Sequence, residues 1–306
     1  MEMRQLRHFV AVTTHGSFTA AARAELIVQS ALSASIRKLE RELGAELFER
    51  TGRRPVLTPA GHAFLPAARR LLADAAAASD AVAAVTGLTA GRVAIGAIQT
   101  LASVDLPAEL AAFHRAWPAI QIAVREASVA GLLDALLTRE LDLAYLTLDG
   151  AELPNGLAVF GSWQEELVLM TGPEHRLARV ERVLLSELTE EAFVDFKAGT
   201  GLETAVHRLT AGCGLHRQIT CEVTQAGVLV DLVRAGIGVA IVSRQIAERA
   251  NLPRVKMRQP DPVRTVVLVG RAPRPTNPAA SALLHHLTPQ VSASGTGHGR
   301  PVPAGG

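Results

Sequence analysis

Over the first sixty residues, apolar positions recur at helical spacing and are broken by short polar turns. Residues 4–15 place Leu6, Phe9, Val10 and Thr13 on one side of a first helix. After Gly16, Ser17 is a side-chain cap for a second, Ala-rich helix that turns Phe18 and Ala21 inward. A third helix carries Leu32, Ile36, Leu39 and Leu43 at spacings of 4, 3 and 4, a single apolar stripe that needs a core. Its opposite face holds Gln29, Ser30, Ser33, Arg37 and Arg41, and it ends at Gly44. Short polar groups near the start of such a helix reach base edges in a major groove, and the arginines reach phosphates. Two short apolar segments follow, around Leu47-Phe48 and Val56-Leu57, joined by a Gly turn with Arg53 and Arg54. Helix, helix-turn-helix and a basic β-ribbon in that order predict a winged helix-turn-helix.

Thr58 followed by Pro59 is a hydroxyl cap with Pro in the first turn, the start of a long Ala-rich helix over 59–86. Leu65, Ala68, Leu72, Ala75, Ser79 and Val82 follow a 3-4-3-4-3 spacing on it. At 1.5 Å per residue it would be about 40 Å long. One narrow stripe on so long a helix predicts a dimerisation seam, with packing on its own chain as the competing use. Residues 87–91 are a hinge by composition.

The pattern then alternates between strands and helices. Strands are expected at 93–95, 120–124 and 141–146, with helices at 106–117 (Leu106, Leu110, Phe113) and 129–139 (Leu132, Leu133, Leu136, Leu137) between them. This βαβαβ order predicts a mostly parallel sheet covered by helices. A second unit reads strands 166–170 and 193–196, helix 202–211, strand 219–223, helix 225–235 and strand 239–242. A strand at 266–269 and a helix at 279–287 return to the first unit, the chain crossing back near 263. Two α/β lobes with a cleft between them follow. Residues 291–306 are small and polar, a tail with no core-forming pattern.

Composition adds scale and charge. The chain has 306 residues, 48% of them hydrophobic, enough to bury the cores of two or three domains. Net charge is only +2, yet the first sixty residues hold nine Lys/Arg against six Asp/Glu, and the remainder 22 against 23. The positive excess lies with the polar-faced helix, which suits a modest phosphate footprint. Arg4 and Arg7 lead straight into an amphipathic helix and no apolar run approaches ~20 residues, so a soluble, cytoplasmic protein is expected. Cys213 and Cys221 are the two cysteines; neither lies in a CxxC and no Cys/His spacing matches a zinc site, so reduced structural thiols and no metal are expected. There is no Walker motif, no GxGxxG after a strand and no GxSxG elbow. His207, His216, His285 and His286 have no acid or nucleophile at useful spacing. No cofactor and no catalysis are expected.

The blocks Arg4-Gln-Leu-Arg-His-Phe-Val-Ala-Val12, Gly16-Ser-Phe-Thr19, Gln29-Ser-Ala-Leu-Ser33, Ile36-Arg-Lys-Leu-Glu40, Glu42-Leu-Gly44, Leu47-Phe-Glu-Arg50 and Leu57-Thr-Pro-Ala-Gly61 resemble the N-terminal domain of LysR-type transcriptional regulators. They cover nearly all of residues 1–61 in order. Residues 91–290 resemble, more loosely, the effector domain of the same family, itself similar to type 2 periplasmic binding proteins. The resemblance implies a winged helix-turn-helix over 1–58, a linker and dimerisation helix with hinge over 59–90, and an effector domain over 91–290. Its lobe I would span 91–162 and 264–290, lobe II 163–263, leaving the 291–306 tail. Thr19, Gln29, Ser30, Ser33, Arg37, Arg53 and Arg54 are the implied DNA-binding residues; Leu65, Ala68, Leu72, Ala75 and Val82 the implied dimer seam. Three positions depart from the family pattern: Val28 where a Ser or Thr usually caps the recognition helix, Glu25 for an apolar residue, and Ala34 for an Arg.

Ligands of open α/β sheets lie at the carboxyl ends of strands, where helix N-termini offer amide donors. By position the candidates are Gln99, Thr100, Ser128 and Thr147 in one lobe, and Lys197, Thr200, Thr224 and Gln225 in the other. Each hydroxyl alone reads first as a helix cap; their convergence from two lobes points to a site for a small polar or anionic effector. Lys197 is the cation among them. The expected function is a sequence-specific, homodimeric or homotetrameric regulator that binds double-stranded DNA and a small-molecule effector, with RNA polymerase a candidate partner. The alternative is a ligand-binding protein with degraded DNA recognition.

Overall fold

The computed structural model describes residues 1–49, 54–85, 91–148, 152–258 and 262–288. The chain divides into two units, Met1–Leu88 with Leu137–Glu140, and Thr89–Leu136 with Leu141–Gly306. In the first, helices α1 (Met3–His15), α2 (Phe18–Ala24) and α3 (Gln29–Leu43) precede the long α4 (Pro59–Val85). Leu6, Phe9 and Val12 are the buried edge of α1, while Val10 and Thr13 are only half-buried. The inward arc is therefore turned a little from the expected one, and it takes in Gln5 and His8 as well. Phe9 packs against Phe48 and Phe64, each pair with ring centroids 5.4 Å apart. Leu32, Ile36 and Leu39 of α3 are buried as expected, but Leu43 is 38% exposed because the chain turns away at Gly44. Gly44 has φ of 67°, the left-handed conformation that glycine adopts at least cost.

The helix ends follow their capping chemistry. Ser17 Oγ accepts from Ala20 N–H at 3.0 Å, and Thr58 Oγ1 from Gly61 N–H at 3.0 Å. Val28, the N-cap of α3, supplies no side-chain bond. Among the described residues the wing is a pairing: Phe48 and Leu57 form an antiparallel bridge, and Glu49 N–H donates to Val56 O at 2.8 Å. Its tip, with Arg53, lies outside the described residues. Glu40 ties the wing to α3, its carboxylate accepting from Leu47 N–H at 2.8 Å and Phe48 N–H at 3.3 Å.

Part of the expected seam on α4 lies against this domain's own core. Ala68 is fully buried in this domain's own core, and Leu65 and Leu72 pack half-buried against the same cluster with Phe64. Among the described side chains of α4, Leu71, Ala75 and Ala78 are exposed at i, i+4 and i+7, as is Ala63 nearer its start. The side chains at Ser79 and Val82 lie outside the description, as do residues 86–90 of the hinge and the tail from 289.

In the second unit, β1 (Gly91–Ala97), α5 (Leu106–Ala116), β2 (Ile120–Glu126), α6 (Val129–Leu137) and β3 (Leu143–Thr147) make the βαβαβ start, with β1 parallel to both β2 and β3. The long β4 (Leu157–Met170) follows, then β5 (Arg182–Leu184), β6 (Ala192–Phe196), α7 (Gly201–Gly212), β7 (Gln218–Val223), α8 (Ala226–Arg234), β8 (Ala240–Ser243), α9 (Arg244–Arg249) and β9 (Arg254–Arg258). The returning β10 (Val263–Arg271) and α10 (Pro278–Leu287) complete it. The sheet runs β2-β1-β3-β10-β4-β9-β5, with β8 also on β4 and β6-β7 as a separate pair. It is mixed rather than mostly parallel, since β10 is antiparallel to β3 and β4. β4 has 14 residues where five were expected: its first part pairs with β10, and Leu167–Met170 pair with β8 and β9. One strand thus serves both lobes, each of which has its own apolar core. β9 escaped the reading because Arg254, Lys256 and Arg258 alternate with its two buried residues, Val255 and Met257.

Two predictions follow from the winged unit. Val28→Ser should supply the missing cap and stabilise α3 by about 1 kcal/mol, read as slower hydrogen exchange of α3 amides. His8 is buried with Nδ1 2.8 Å from Ser35 Oγ, and burial pushes its imidazole below the usual 6.5. The unfolded chain then takes up a proton before the folded one, so this unit loses stability as pH falls below about 6.5, by at most about 1.4 kcal/mol per pH unit. Amide protection of α1 should fall between pH 7.5 and 5.5 in the wild type and fall less in His8→Gln.

Candidate nucleic-acid interface and ligand cleft

On α3 the buried Leu32, Ile36 and Leu39 leave Gln29, Ser30, Ala31, Ala34, Arg37 and Arg41 exposed, with Ser33 half-buried between them. Gln29 Nε2 donates to Ser33 Oγ at 3.4 Å, a weak bond easily exchanged for another acceptor. Arg41 Nε donates to Arg37 O at 3.4 Å. Lys38 is turned away from this face, its Nζ 2.6 Å from Glu2 Oε1. Thr19 on α2 and Arg54 at the wing are exposed too. This unit therefore presents a polar helix face with guanidinium groups, its N-terminal amides not capped by a side chain.

In the second unit the candidate effector residues divide by burial. Thr100, Thr147 and Thr200 are buried; Lys197, Ser128, Thr224 and Gln225 are exposed. Ser128 and Thr200 cap α6 and α7, accepting from Gly131 N–H and Glu203 N–H, each at 3.3 Å. Lys197 N–H donates to Val223 O at 2.8 Å, which sets the Lys197 and Thr224 loops side by side. A Cβ on Gly201 would sit 2.8 Å from Thr147 Oγ1 and 3.6 Å from Ile98 Cδ1 and Val129 Cγ2. Glycine thus lets the start of α7, which Thr200 caps, approach Thr147 at the end of β3. Gln99 Oε1 is buried with no hydrogen-bond partner among the described residues, which costs stability unless something else satisfies it.

A charged pair missed in the sequence underlies this loop. Glu165 on β4 and Arg264 on β10 face each other in register, both with fully buried side chains, and Arg264 Nη2 lies 2.6 Å from Glu165 Oε2. Arg264 also donates through Nη1 to Thr100 Oγ1 at 3.0 Å and through Nη2 to the Thr100 carbonyl. Glu165 Oε1 accepts from Ala102 N–H at 3.1 Å and Ser103 N–H at 2.7 Å, and Oε2 from Ser243 Oγ at 2.5 Å. Burial alone would raise the Glu165 carboxyl; the Arg264 charge and the bonds from Ser243, Arg264 and Ser103 outweigh it and hold it below its usual value. The hydroxyl of Thr100 is therefore committed to Arg264. The sequence signal was Arg264 at the head of the apolar run 265–270 and a Glu entering another, at a spacing only the sheet reveals.

Cys213 is exposed and Cys221 half-buried in β7, both as free thiols. Among the described residues no group of three His, Cys, Asp or Glu is placed to hold a metal, and no helix is long and apolar enough to cross a membrane.

Comparison with known proteins gives two family matches. Residues 3–62 match the family described as bacterial regulatory helix-turn-helix protein, lysR family, and residues 86–292 match the LysR substrate binding domain. The HTH-type transcriptional regulator ShiR of Corynebacterium glutamicum (strain R) is 36% identical over 251 residues, 79% of this chain and 83% of that protein. Among solved structures, full-length CbnR complexed with its target DNA superposes with a TM-score of 0.68 at 24% identity, covering 95% of this chain and 99% of that one. The effector-binding domain of QuiR in complex with shikimate gives 0.59 at 19% identity, over 67% of this chain and 99% of that one.

Removing one member of the Glu165–Arg264 pair strands the other, so Glu165→Gln and Arg264→Met should each destabilise the effector domain by about 3–5 kcal/mol. Replacing both should cost less than either alone. Urea unfolding followed by Trp117 and Trp163, the chain's two tryptophans, reads this. Because the Glu165 pKa is lowered on folding, its contribution is present above about 4.5 and lost as pH falls through the folded value.

Proposed function

The chain belongs to the LysR family of bacterial transcriptional regulators, and on that premise we propose that it is a cytoplasmic, homo-oligomeric regulator that reads double-stranded DNA with α3 and answers a small effector held between its lobes. It acts by shifting a binding equilibrium, not by catalysis. The observation that carries the reading is the division of α3: three buried apolar residues on one face and Gln29, Ser30 and Arg37 exposed on the other. Gln29, Ser30 and Ser33 read base edges, Thr19 and Arg37 hold phosphates, and Arg53 and Arg54 of the wing grip the adjacent groove or backbone.

The proposed domain limits are 1–58, 59–90 and 91–290. With Leu65, Ala68 and Leu72 spent wholly or partly in the domain's own core, pairing of two chains along α4 falls to Leu71, Ala75 and Ala78, and Val82 continues the helix beyond them. The effector is small and polar or anionic, held by Gln99, Thr147, Thr200 and the exposed Ser128, Lys197, Thr224 and Gln225. Thr100 serves this site through Arg264. The solved QuiR domain holds shikimate, which makes small hydroxylated acids the first class to try. Effector binding changes DNA binding or RNA polymerase contact only as far as it favours one quaternary state over another. No observation favours a ligand-binding protein with degraded DNA recognition.

The test is fluorescence anisotropy with the duplex upstream of the protein's own gene and a scrambled duplex, at two salt concentrations. Wild type should prefer the upstream duplex, and Gln29→Ala should cost about 1–3 kcal/mol of that preference. Equal losses on both duplexes would remove Gln29 from base readout. Gln99→Leu should abolish stabilisation by whichever small acid raises the melting temperature, with DNA affinity unchanged.

A further inference from the structure

Leu26 and Val28 sit at the helix-turn-helix turn at a cost to the fold. Leu26 is 91% exposed and Val28 68%, so neither contributes to a core, whereas Ile27 between them packs inward. Leu26 holds φ of 56°, in the left-handed region where a leucine is strained and a glycine is not. Val28 takes the N-cap of α3, where an oxygen-bearing side chain would satisfy an open amide. Two large apolar groups, one on strained backbone and one in a capping position, gain nothing from this chain. An observed outlier of this kind points to a partner.

Their surroundings say which. The two side chains flank the start of the exposed face that continues through Gln29, Ser30, Ala31 and Ala34, and the same face carries Arg37 and Arg41. A cationic rim fits a polyanion. Within a major groove the base edges present donors and acceptors, and one apolar group, the thymine 5-methyl. A side chain without a polar atom laid on any other edge would desolvate a polar group and return no bond. Resting on the reading of α3 as the DNA-contacting helix, we propose that Leu26 and Val28 recognise thymine by apolar contact with its 5-methyl group, so that this regulator selects operator half-sites by methyl contact where its capping position would otherwise serve the helix.

Duplexes selected by the full-length protein from a random-sequence pool supply the probe, and the tightest is resynthesised with uracil for thymine at one position at a time. Uracil keeps the base pair and removes only the methyl. At one or two positions per half-site wild type should bind the uracil duplex about three- to tenfold more weakly. Val28→Ala should lose a similar factor on the thymine duplex and no longer distinguish uracil there; Leu26→Gly should do the same at a neighbouring position. Val28→Ser, which gains a cap, should lose the thymine preference while its α3 amides exchange more slowly, which separates lost contact from lost fold. Equal wild-type affinity for thymine and uracil at every position, with Gln29→Ala still impaired, overturns the methyl contact alone. A Val28→Ala variant that keeps the full thymine preference overturns it as well. A Gln29→Ala variant that binds the selected duplex like wild type overturns α3 as the reading helix, and this inference with it.

Discussion

Glu165 and Arg264 face each other across the two strands that carry the chain between lobes, and the effector domain depends on that pair. A buried charge without a partner costs several kcal/mol, so neither group is tolerated in this register without the other. Glu165 is bonded to Arg264, to Ser243 at the end of β8 and to the amides of Ala102 and Ser103. Arg264 is bonded to Glu165 and to Thr100. The loop after β1, the end of β8 and both crossing strands therefore share one electrostatic knot. A loop tied in this way moves only with its anchors, which is the condition for a ligand contact at Gln99 to be felt by both lobes.

The winged unit makes the opposite choice. Its core is apolar and well filled, with Phe9 set between Phe48 and Phe64, but its outer face carries the compromises. Val28 leaves an amide of α3 without a side-chain acceptor, and Leu26 strains the turn. Where the fold would be served by Ser and Gly, the chain has Val and Leu. Stability given up at a contact surface is the usual trade of a binding site, and here it falls on two residues beside the polar face.

The winged half was the more legible in sequence because its signals are local. Helical period, Ser17 and Thr58 caps, Gly44 and the Gly turn each act within a few residues, and α1 and α4 came within one residue of their expected bounds. The stripe on α4 was also read correctly as apolar, but period alone cannot say which core it serves. Ala68 and Leu72 turned out to serve their own domain. In the effector domain the alternation of strands and helices was plain, while β9 was hidden by its charged outward residues and α9 by its six-residue length. The direction of β10 and the Glu165–Arg264 pair were not legible, since a separation of 99 residues is set by sheet register and not by spacing.

Burial then reorders the candidate effector residues in a way spacing could not. Thr100 looked equivalent to Gln99, its neighbour after β1, yet the two sit in a turn closed by Leu101 N–H donating to Ile98 O, and their side chains are used differently. Thr100 turns to Arg264 and is satisfied; Gln99 keeps a buried carbonyl oxygen with no partner among the described residues. A satisfied hydroxyl must give up a charged donor to meet a ligand, at the full cost of stranding that donor, whereas an unsatisfied amide oxygen gains a bond. Burial alone favours Thr147, pressed against the glycine that opens α7, over the exposed Thr224 as a determinant of what fits between the lobes. Affinity in this cleft is thus expected to come from a few buried neutral groups, with Lys197 at the rim acting on approach and charge preference rather than on shape.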